Sequence, residues 1–201
     1  MPRAIIGLGN PGKRYAQTRH NAGFMVIDEL AKRWHADFRP GKGSYVFAKS
    51  PSQDAVLMKP ATYMNHSGQA VRHLSDYFKI EVEDCMIVFD DLDIPFPEVR
   101  LRKQGGAGTH RGMKSVVQHL NTTEFPRTRM GIGGAQADRP AEDFVLDNYS
   151  KDDFDVLPEQ LNKAADAIQY WLDHDMNSAM NHFNVNLRKA PDEDLKEEKE
   201  V

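Results

Sequence analysis

Residues 4–15, AIIGLGNPGKRY, contain an apolar strand-like run that enters a glycine turn. From Gly7 to Gly12 the letters match G-x-G-x-x-G, the pattern of a dinucleotide-binding turn. That motif needs a helix that begins inside the turn, so that its N–H groups face a pyrophosphate. Here the helical spacing begins only near Asn21, and the acidic residues at 28 and 29 fall inside that helix rather than after a second strand. We therefore interpret the glycines as a tight strand-to-loop turn.

Outward from this turn, strand-like and helix-like segments alternate along the chain. The candidate strands are AIIGL (4–8), YVFAK (45–49), AVLMK (55–59), CMIVF (85–89), EVRLR (98–102) and TRMGIG (128–133). Apolar residues at helical spacing predict helices over about 21–35 and around Val71 to Phe78, Met113 to Leu120 and Leu157 to Leu172. Interleaved strands and helices predict an α/β fold, with a single domain and a mixed, mostly parallel β-sheet flanked by helices on both faces. The runs within 45–59 lie close enough to form an antiparallel hairpin.

Size and composition favour one globular domain. With 201 residues, of which 40% are hydrophobic and 28% charged, the chain is long enough to bury a core. We predict that the domain spans residues 1–187 and that the acidic segment 188–201 is a disordered tail. No apolar run reaches the length of a membrane span and no leader pattern opens the chain, so we expect a cytoplasmic protein. The acidic tail and the lack of an apolar excess favour a monomer. The single cysteine, Cys85, excludes a disulfide framework and begins an apolar strand run.

Charge is distributed unevenly, although the net charge is only −4. Residues 98–114, EVRLRKQGGAGTHRGMK, hold five Lys or Arg against one Glu. Glycines in this stretch precede a predicted helix, whose first N–H groups attract anions. The segment is therefore a candidate phosphate-binding loop, and a flexible connection with solvated charges is the alternative that stays open.

Polar side chains also collect in loops that follow the predicted strands, where α/β proteins place their sites. Asn10 lies in the glycine turn, His20 precedes the first helix, Met64 and Asn65 follow the third strand, and Asp90 follows the fourth. A histidine oriented by a carboxylate is a base that works near neutral pH, and an amide can orient water or stabilise an oxyanion. Each of these residues, taken alone, also fits a cap, a turn or a solvated loop.

A metal centre is the competing use of histidine and aspartate. The segment DDLD (90–93) lacks the ligand spacing and closing glutamate of an EF-hand, and neither HxxxH nor a paired-cysteine spacing occurs. The serine-hydrolase pattern G-x-S-x-G is absent as well. We therefore expect neither a metal nor a cofactor.

Five stretches together resemble the bacterial peptidyl-tRNA hydrolase family in order and spacing. They are GLGNPGKRYAQTRHNAGF (7–24), KPATYMNHSG (59–68), FDDLDIP (89–95), GGAGTHRGMKSVVQHL (105–120) and RMGIGG (129–134). The resemblance covers almost all of the chain before the acidic tail. It implies hydrolysis of the ester that joins a peptide to the terminal ribose of tRNA, without a metal, a cofactor or a membrane. The implied partner is peptidyl-tRNA, bound through its acceptor stem and 3′ end.

The resemblance also implies roles for individual residues. His20 would act as general base on water, Asp90 would orient its imidazole, and Asn10 would position the water or stabilise the oxyanion. The residues implied in binding substrate are Tyr15, Met64, Asn65, Gly108, His110 and Arg111, while Arg102 or Lys103 with Arg129 would hold the 5′ phosphate of tRNA. Residues 136–155 would form a mobile segment over the site.

Two positions depart from the family pattern. Arg111 stands where the family has an asparagine that binds substrate, and a guanidinium can grip phosphate but cannot accept a hydrogen bond. Asp91 replaces the more usual glutamate. Two alternatives stay open: a non-hydrolytic RNA-binding protein on the same fold, in which Arg111 marks a lost reaction, and an esterase for small acyl esters.

Overall fold

A central β-sheet organises the fold. The computed structural model describes residues 2–134 and 140–184, in which seven strands have the order β2-β3-β4-β1-β5-β7-β6. The strands are β1 Arg3–Gly7, β2 Arg39–Pro40, β3 Tyr45–Lys49, β4 Ala55–Pro60, β5 Cys85–Asp91, β6 Val99–Arg102 and β7 Arg127–Gly131. The central strands β4, β1, β5 and β7 run parallel, and antiparallel pairs form both margins. The pairing of β3 with β4 is the predicted hairpin.

Helices cover both faces of the sheet. They are α1 Ala22–Arg33, α2 Ser67–Phe78, α3 Arg111–Leu120, α4 Ala141–Leu146, α5 Lys151–Asp173 and α6 Met176–Phe183. Successive residues of β1 show why: Ile5 packs in one core with α1, α5 and α6, whereas Ile6 packs in the other with α2 and α3. Alternate side chains of a strand point to opposite faces, so a continuous apolar strand needs a helical layer on each side. The predicted fold class is confirmed, and each fully buried isoleucine contributes about 1.5–3 kcal/mol.

Two glycines let α1 lie directly on the sheet. A Cβ atom on Gly7 would lie 2.3 Å from the carbonyl oxygen of Gly23, and one on Gly23 would lie 2.4 Å from the carbonyl oxygen of Val88. Any larger residue would push the helix away from β1 and β5. The first glycine of the G-x-G-x-x-G letters therefore serves helix packing rather than cofactor binding. The close approach also fixes residues 19–21, which immediately precede α1, against β5.

The sequence does not predict three short elements. Strand β2 and helices α4 and α6 have two, six and eight residues, which is too short for an apolar period to identify them. Helix α1 ends at Arg33 rather than near residue 35, because His35 takes a positive φ of 49° that a continuing helix does not allow.

Three further expectations from the sequence concern Cys85, membrane-spanning helices and the segments 136–155 and 188–201. Cys85 is buried at the start of β5, and burial together with nearby acidic residues raises the pKa of its thiol to about 12, which excludes a thiolate near neutral pH. Within residues 2–134 and 140–184 no helix is both long and apolar enough to cross a membrane. The domain boundary at 187, the tail 188–201 and residues 136–139 of the predicted mobile segment lie outside the described residues.

Candidate active site

A cleft of about 760 Å³ opens at the carboxyl ends of the parallel strands. The turn after β1 brings Asn10 to this cleft, a single 3₁₀ turn after β4 brings Met64 and Asn65, and β5 carries Asp90 into it. The carboxyl ends of parallel strands share one edge of a sheet, where α/β proteins collect their functional groups. Residues that are far apart in the sequence therefore meet at this edge.

His20 and Asp90 form a buried pair in the cleft. His20 lies in the 3₁₀ turn Arg19–Asn21 before α1, and its Nδ1 is 2.9 Å from Oδ1 and 3.0 Å from Oδ2 of Asp90. An ionised carboxylate only accepts hydrogen bonds, so Nδ1 of His20 carries the proton and donates the hydrogen bond. The lone pair of the imidazole then resides on Nε2, away from Asp90. The pair has the geometry of a general base oriented by a carboxylate.

His110 places a second imidazole on the same carboxylate. Its Nε2 lies 2.9 Å from Oδ1 of Asp90, and its ring centroid lies 4.9 Å from that of His20. The Met113 N–H donates to Nδ1 of His110 at 3.1 Å, which makes His110 the N-cap of α3 and leaves its proton on Nε2. Asp90 thus accepts hydrogen bonds from two imidazoles whose tautomers are both fixed.

The surroundings of Asp90 keep its carboxylate ionised. The residue is only 2% exposed, and burial alone would raise the pKa of the carboxyl. Attraction to His20 and His110, together with the hydrogen bonds from both rings, outweighs burial and holds the pKa well below the usual 3.8. Asp90 can therefore stabilise an imidazolium at position 20 without taking its proton.

The same three side chains are close enough together to be considered as metal ligands. Coordination through Nε2 of His110 would move the ring proton to Nδ1, which would then lose the hydrogen bond from Met113 and with it the cap of α3. The donor set therefore suits a hydrogen-bonded cluster better than a metal centre.

Asn10 is positioned by Asn21, a residue whose role no sequence motif indicates. The backbone N–H of Asn10 donates to Oδ1 of Asn21 at 2.8 Å, and Nδ2 of Asn21 donates back to the Asn10 carbonyl at 3.0 Å. The side-chain Oδ1 of Asn10 accepts from the backbone N–H of Met64 at 2.8 Å, which identifies the oxygen of this amide. The other end of this amide, Nδ2, is a hydrogen-bond donor on a residue that lines the cleft, and such a donor is suited to an oxyanion.

Arginines from β6 and β7 line a further part of the cleft, beside the glycine-rich loop. Arg102 ends β6, and Nε of Arg129 in β7 lies 2.6 Å from Oδ2 of Asp91. Arg127 is 2% exposed and donates to the carbonyl oxygens of Gly106 and Thr123. Burial, with repulsion from Arg129, lowers the pKa of Arg127 to about 10, so the guanidinium remains charged near neutral pH. The glycine-rich loop thus lies close to the positive charges of Arg102, Arg127 and Arg129.

Comparison with known proteins gives the family of the chain. The family model described as peptidyl-tRNA hydrolase matches residues 4–192. The chain belongs to the peptidyl-tRNA hydrolase family. Curated peptidyl-tRNA hydrolases of Bacillus cereus (strain Q1) and Chloroflexus aurantiacus are both 46% identical to it, over 90% of this chain and 99% and 97% of their own lengths. The crystal structure of the Acinetobacter baumannii peptidyl-tRNA hydrolase is 32% identical, with a TM-score of 0.86 over 92% of this chain and 95% of that one. The resemblance carried by the motifs is confirmed.

Most of the residues that the motifs single out lie together in this member of the peptidyl-tRNA hydrolase family. Those that line the cleft are Asn10, His20, Met64, Asn65, Asp90, Arg102, Gly108, His110, Arg111 and Arg129. Tyr15 and Lys103 are not among the lining residues. Tyr15 lies in the 3₁₀ turn Lys13–Tyr15, with the guanidinium of Arg14 over its ring. Of the two cations that the resemblance offers for the end of β6, the structure brings Arg102 to the cleft.

Arg111, at the family's asparagine position, begins α3 and forms an ion pair with Glu142 of α4. Glu142 and Leu146 bring α4 to the wall of the cleft. This helix belongs to the segment 136–155 that the resemblance places over the site, and the mobility of that segment stays a prediction.

Proposed function

We propose that the protein hydrolyses the ester bond between peptide and tRNA in peptidyl-tRNA and releases free tRNA. The observation that carries this proposal is the His20–Asp90 pair beside Asn10, in one cleft of a chain that belongs to the peptidyl-tRNA hydrolase family. Hydrolysis of an activated ester needs a base for water and a hydrogen-bond donor for the oxyanion, and the cleft offers both.

His20 acts as the general base in this mechanism. Its Nε2 takes a proton from a water molecule, whose oxygen attacks the carbonyl carbon of the ester. Asp90 stays ionised and stabilises the imidazolium that forms. The Nδ2 group of Asn10 donates to the carbonyl oxygen as negative charge develops on it. Collapse of the tetrahedral intermediate breaks the bond to the ribose oxygen, which leaves with the proton returned by His20.

The remaining residues of the cleft bind the two ends of the substrate. Met64 and Asn65 hold the peptide and the 3′ end, assisted by Gly108 and, from outside the cleft lining, Tyr15. Arg102 and Arg129 hold the 5′ phosphate at the acceptor stem, with Lys103 as the neighbouring cation. Phosphate contacts fix the register of RNA without selecting a sequence, as an enzyme that serves many tRNAs requires. The proposal includes action as a cytoplasmic monomer without metal or cofactor.

The two alternatives have less support. A non-hydrolytic RNA-binding protein would have no need for a fixed His20 tautomer, and here Asp90 fixes that tautomer with a buried hydrogen bond. An esterase for small acyl esters would have no use for the arginines and the glycine-rich loop at one end of the cleft.

Release of an N-acetylated amino acid from tRNA by the purified protein tests the proposal. We expect multiple turnovers, no effect of a chelator, and a rate below saturation that falls steeply as salt rises, because phosphate contacts release counterions. Tight tRNA binding without release would instead identify the RNA-binding alternative. Equal, salt-independent hydrolysis of small acyl esters would identify the simple esterase.

A further inference from the structure

The ion pair between Arg111 and Glu142 joins two helices at the cleft. Arg111 is the first residue of α3, Glu142 lies in the first turn of α4, and both line the cleft. Their side chains are 63% and 68% exposed. An exposed ion pair contributes little, because water screens the charges and two long side chains lose freedom. A ligand that binds Arg111 or Glu142 more strongly can therefore replace the other side chain of the pair.

Arg111 differs in this respect from the arginines of β7. Arg127 is buried and held by backbone carbonyls, and Arg129 is held by Asp91, whose side chain is only 11% exposed. Glu142, the partner of Arg111, has a much more exposed side chain than Asp91, the partner of Arg129. Its guanidinium is thus a cation that a ligand in the cleft can reach and recruit.

The place of Arg111 in the chain relates it to the reacting ester. It follows His110, which contacts the same carboxylate that orients His20. The ester of peptidyl-tRNA is carried by the ribose of the terminal nucleotide, and the 5′ oxygen of that ribose carries a phosphodiester. With the ester carbon beside the water that Nε2 of His20 activates, this phosphodiester is the nearest fixed anion of the substrate.

We infer that Arg111 binds the phosphodiester of the 3′-terminal nucleotide and exchanges Glu142 for it when substrate enters the cleft. The inference rests on the function proposed above and names one contact within it. A guanidinium binds phosphate through two parallel hydrogen bonds, which an asparagine amide cannot provide. Glu142 competes for the same guanidinium and so opposes substrate binding as long as it holds Arg111.

Two esters separate the phosphate contact from the chemistry. One is an N-acetyl-aminoacyl nucleoside, which has no phosphate, and the other is the same nucleoside at the 3′ end of a short RNA strand. The quantity to compare is the ratio of kcat/KM on the strand to kcat/KM on the nucleoside. We expect Arg111→Ala to lower this ratio about tenfold, the value of one charge-assisted hydrogen-bond contact. In the protein that keeps Arg111, Glu142→Gln should raise the ratio. In the double variant with Arg111→Ala, the same substitution should raise the ratio much less.

Controls keep the outcomes distinct. Arg72→Ala breaks an exposed ion pair of similar kind with Asp76 on α2, outside the cleft lining, and should leave the ratio unchanged. An unchanged ratio in Arg111→Ala, or an equal effect of Glu142→Gln with and without Arg111, overturns the inference. A wild-type protein that hydrolyses neither ester nor peptidyl-tRNA overturns the proposed function itself, whereas an active wild type with an unchanged ratio overturns only the assignment of Arg111.

Discussion

Nδ1 of His20 lies 2.9 Å from Oδ1 of Asp90, although the two residues are 70 positions apart in the sequence. The contact exists because β1 and β5 are parallel neighbours, so the segment that leads from β1 into α1 meets the end of β5 at one edge of the sheet. Without the carboxylate, His20 is a histidine at the start of a helix. With it, the ring has a fixed tautomer and a free Nε2, and the reactivity proposed for the cleft depends on this difference.

Replacing Asp90 by asparagine should lower kcat by about 10³- to 10⁴-fold, as loss of the orienting carboxylate does in triad enzymes. The new amide keeps the shape of the side chain, but its NH2 group can donate a hydrogen bond to the imidazole, and it has no negative charge to stabilise the imidazolium. Single-turnover rates on N-acetyl-aminoacyl-tRNA measure the loss, and near-ultraviolet circular dichroism checks the fold. A loss of less than about tenfold would mean that Asp90 does not orient the base.

The same carboxylate should make the protein less stable in acid. Burial favours the neutral acid, but His20 and His110 outweigh it and hold the pKa of Asp90 well below 3.8. Below about pH 4 the unfolded chain takes up a proton at this position while the folded chain does not, so the free energy of unfolding falls as the pH drops further. Urea titrations at several acidic pH values should therefore show a steeper fall for the wild type than for Asp90→Asn. Parallel curves would contradict an ionised Asp90 in the folded protein.

Two substitutions separate the two contacts of His110. His110→Asn keeps an acceptor for the Met113 N–H and should retain most of the stability, whereas His110→Ala should cost about 1 kcal/mol through the lost cap of α3. Both remove the hydrogen bond to Asp90 and should lower kcat together. Urea unfolding and turnover measure the two effects independently. Wild-type turnover in both variants would show that His110 caps a helix and does not support Asp90.

Asn21→Ala should lower both stability and kcat. The substitution leaves the buried backbone N–H and C=O of Asn10 without partners, which costs about 1–3 kcal/mol. It also loosens the backbone that carries the Asn10 side chain, which keeps only its contact with the Met64 N–H. Asn181→Ala, on the exposed surface of α6, is the matched control. Thermal unfolding and kcat at saturating substrate are the measurements. A normal kcat in a folded Asn21→Ala variant would show that the Asn10 amide needs no support from Asn21.

The fold class could be predicted from the sequence because its signals are long and local. The strand runs of β1, β3, β4 and β5 and the apolar period of α1 and α5 each extend over several residues. The helix α4, AEDFVL, has fewer than two turns, and contacts distant in the sequence decide its position. Short elements of this kind are set by tertiary packing, which no local pattern reports.

Site residues can be predicted from the sequence where a polar side chain follows an apolar strand. Asn10, His20 and Asp90 are polar residues at strand ends, and residue type and place together single them out. The role of Asn21 is not predicted, because it consists of a pair of hydrogen bonds to another loop. Its position just before α1 is the only local signal that it offers. The choice between Arg102 and Lys103 likewise depends on which residue at the end of β6 faces the cleft. Neighbouring side chains of a strand point to opposite faces, so an error of one residue in the predicted strand end would select Lys103 instead of Arg102.

Single-turnover hydrolysis of N-acetyl-aminoacyl-tRNA by the wild type and by His20→Asn tests directly whether His20 is the general base. We predict that the variant still binds tRNA but releases the amino acid about 10²- to 10⁴-fold more slowly than the wild type. A variant that binds tRNA and keeps more than about a tenth of the wild-type rate would contradict this role of His20.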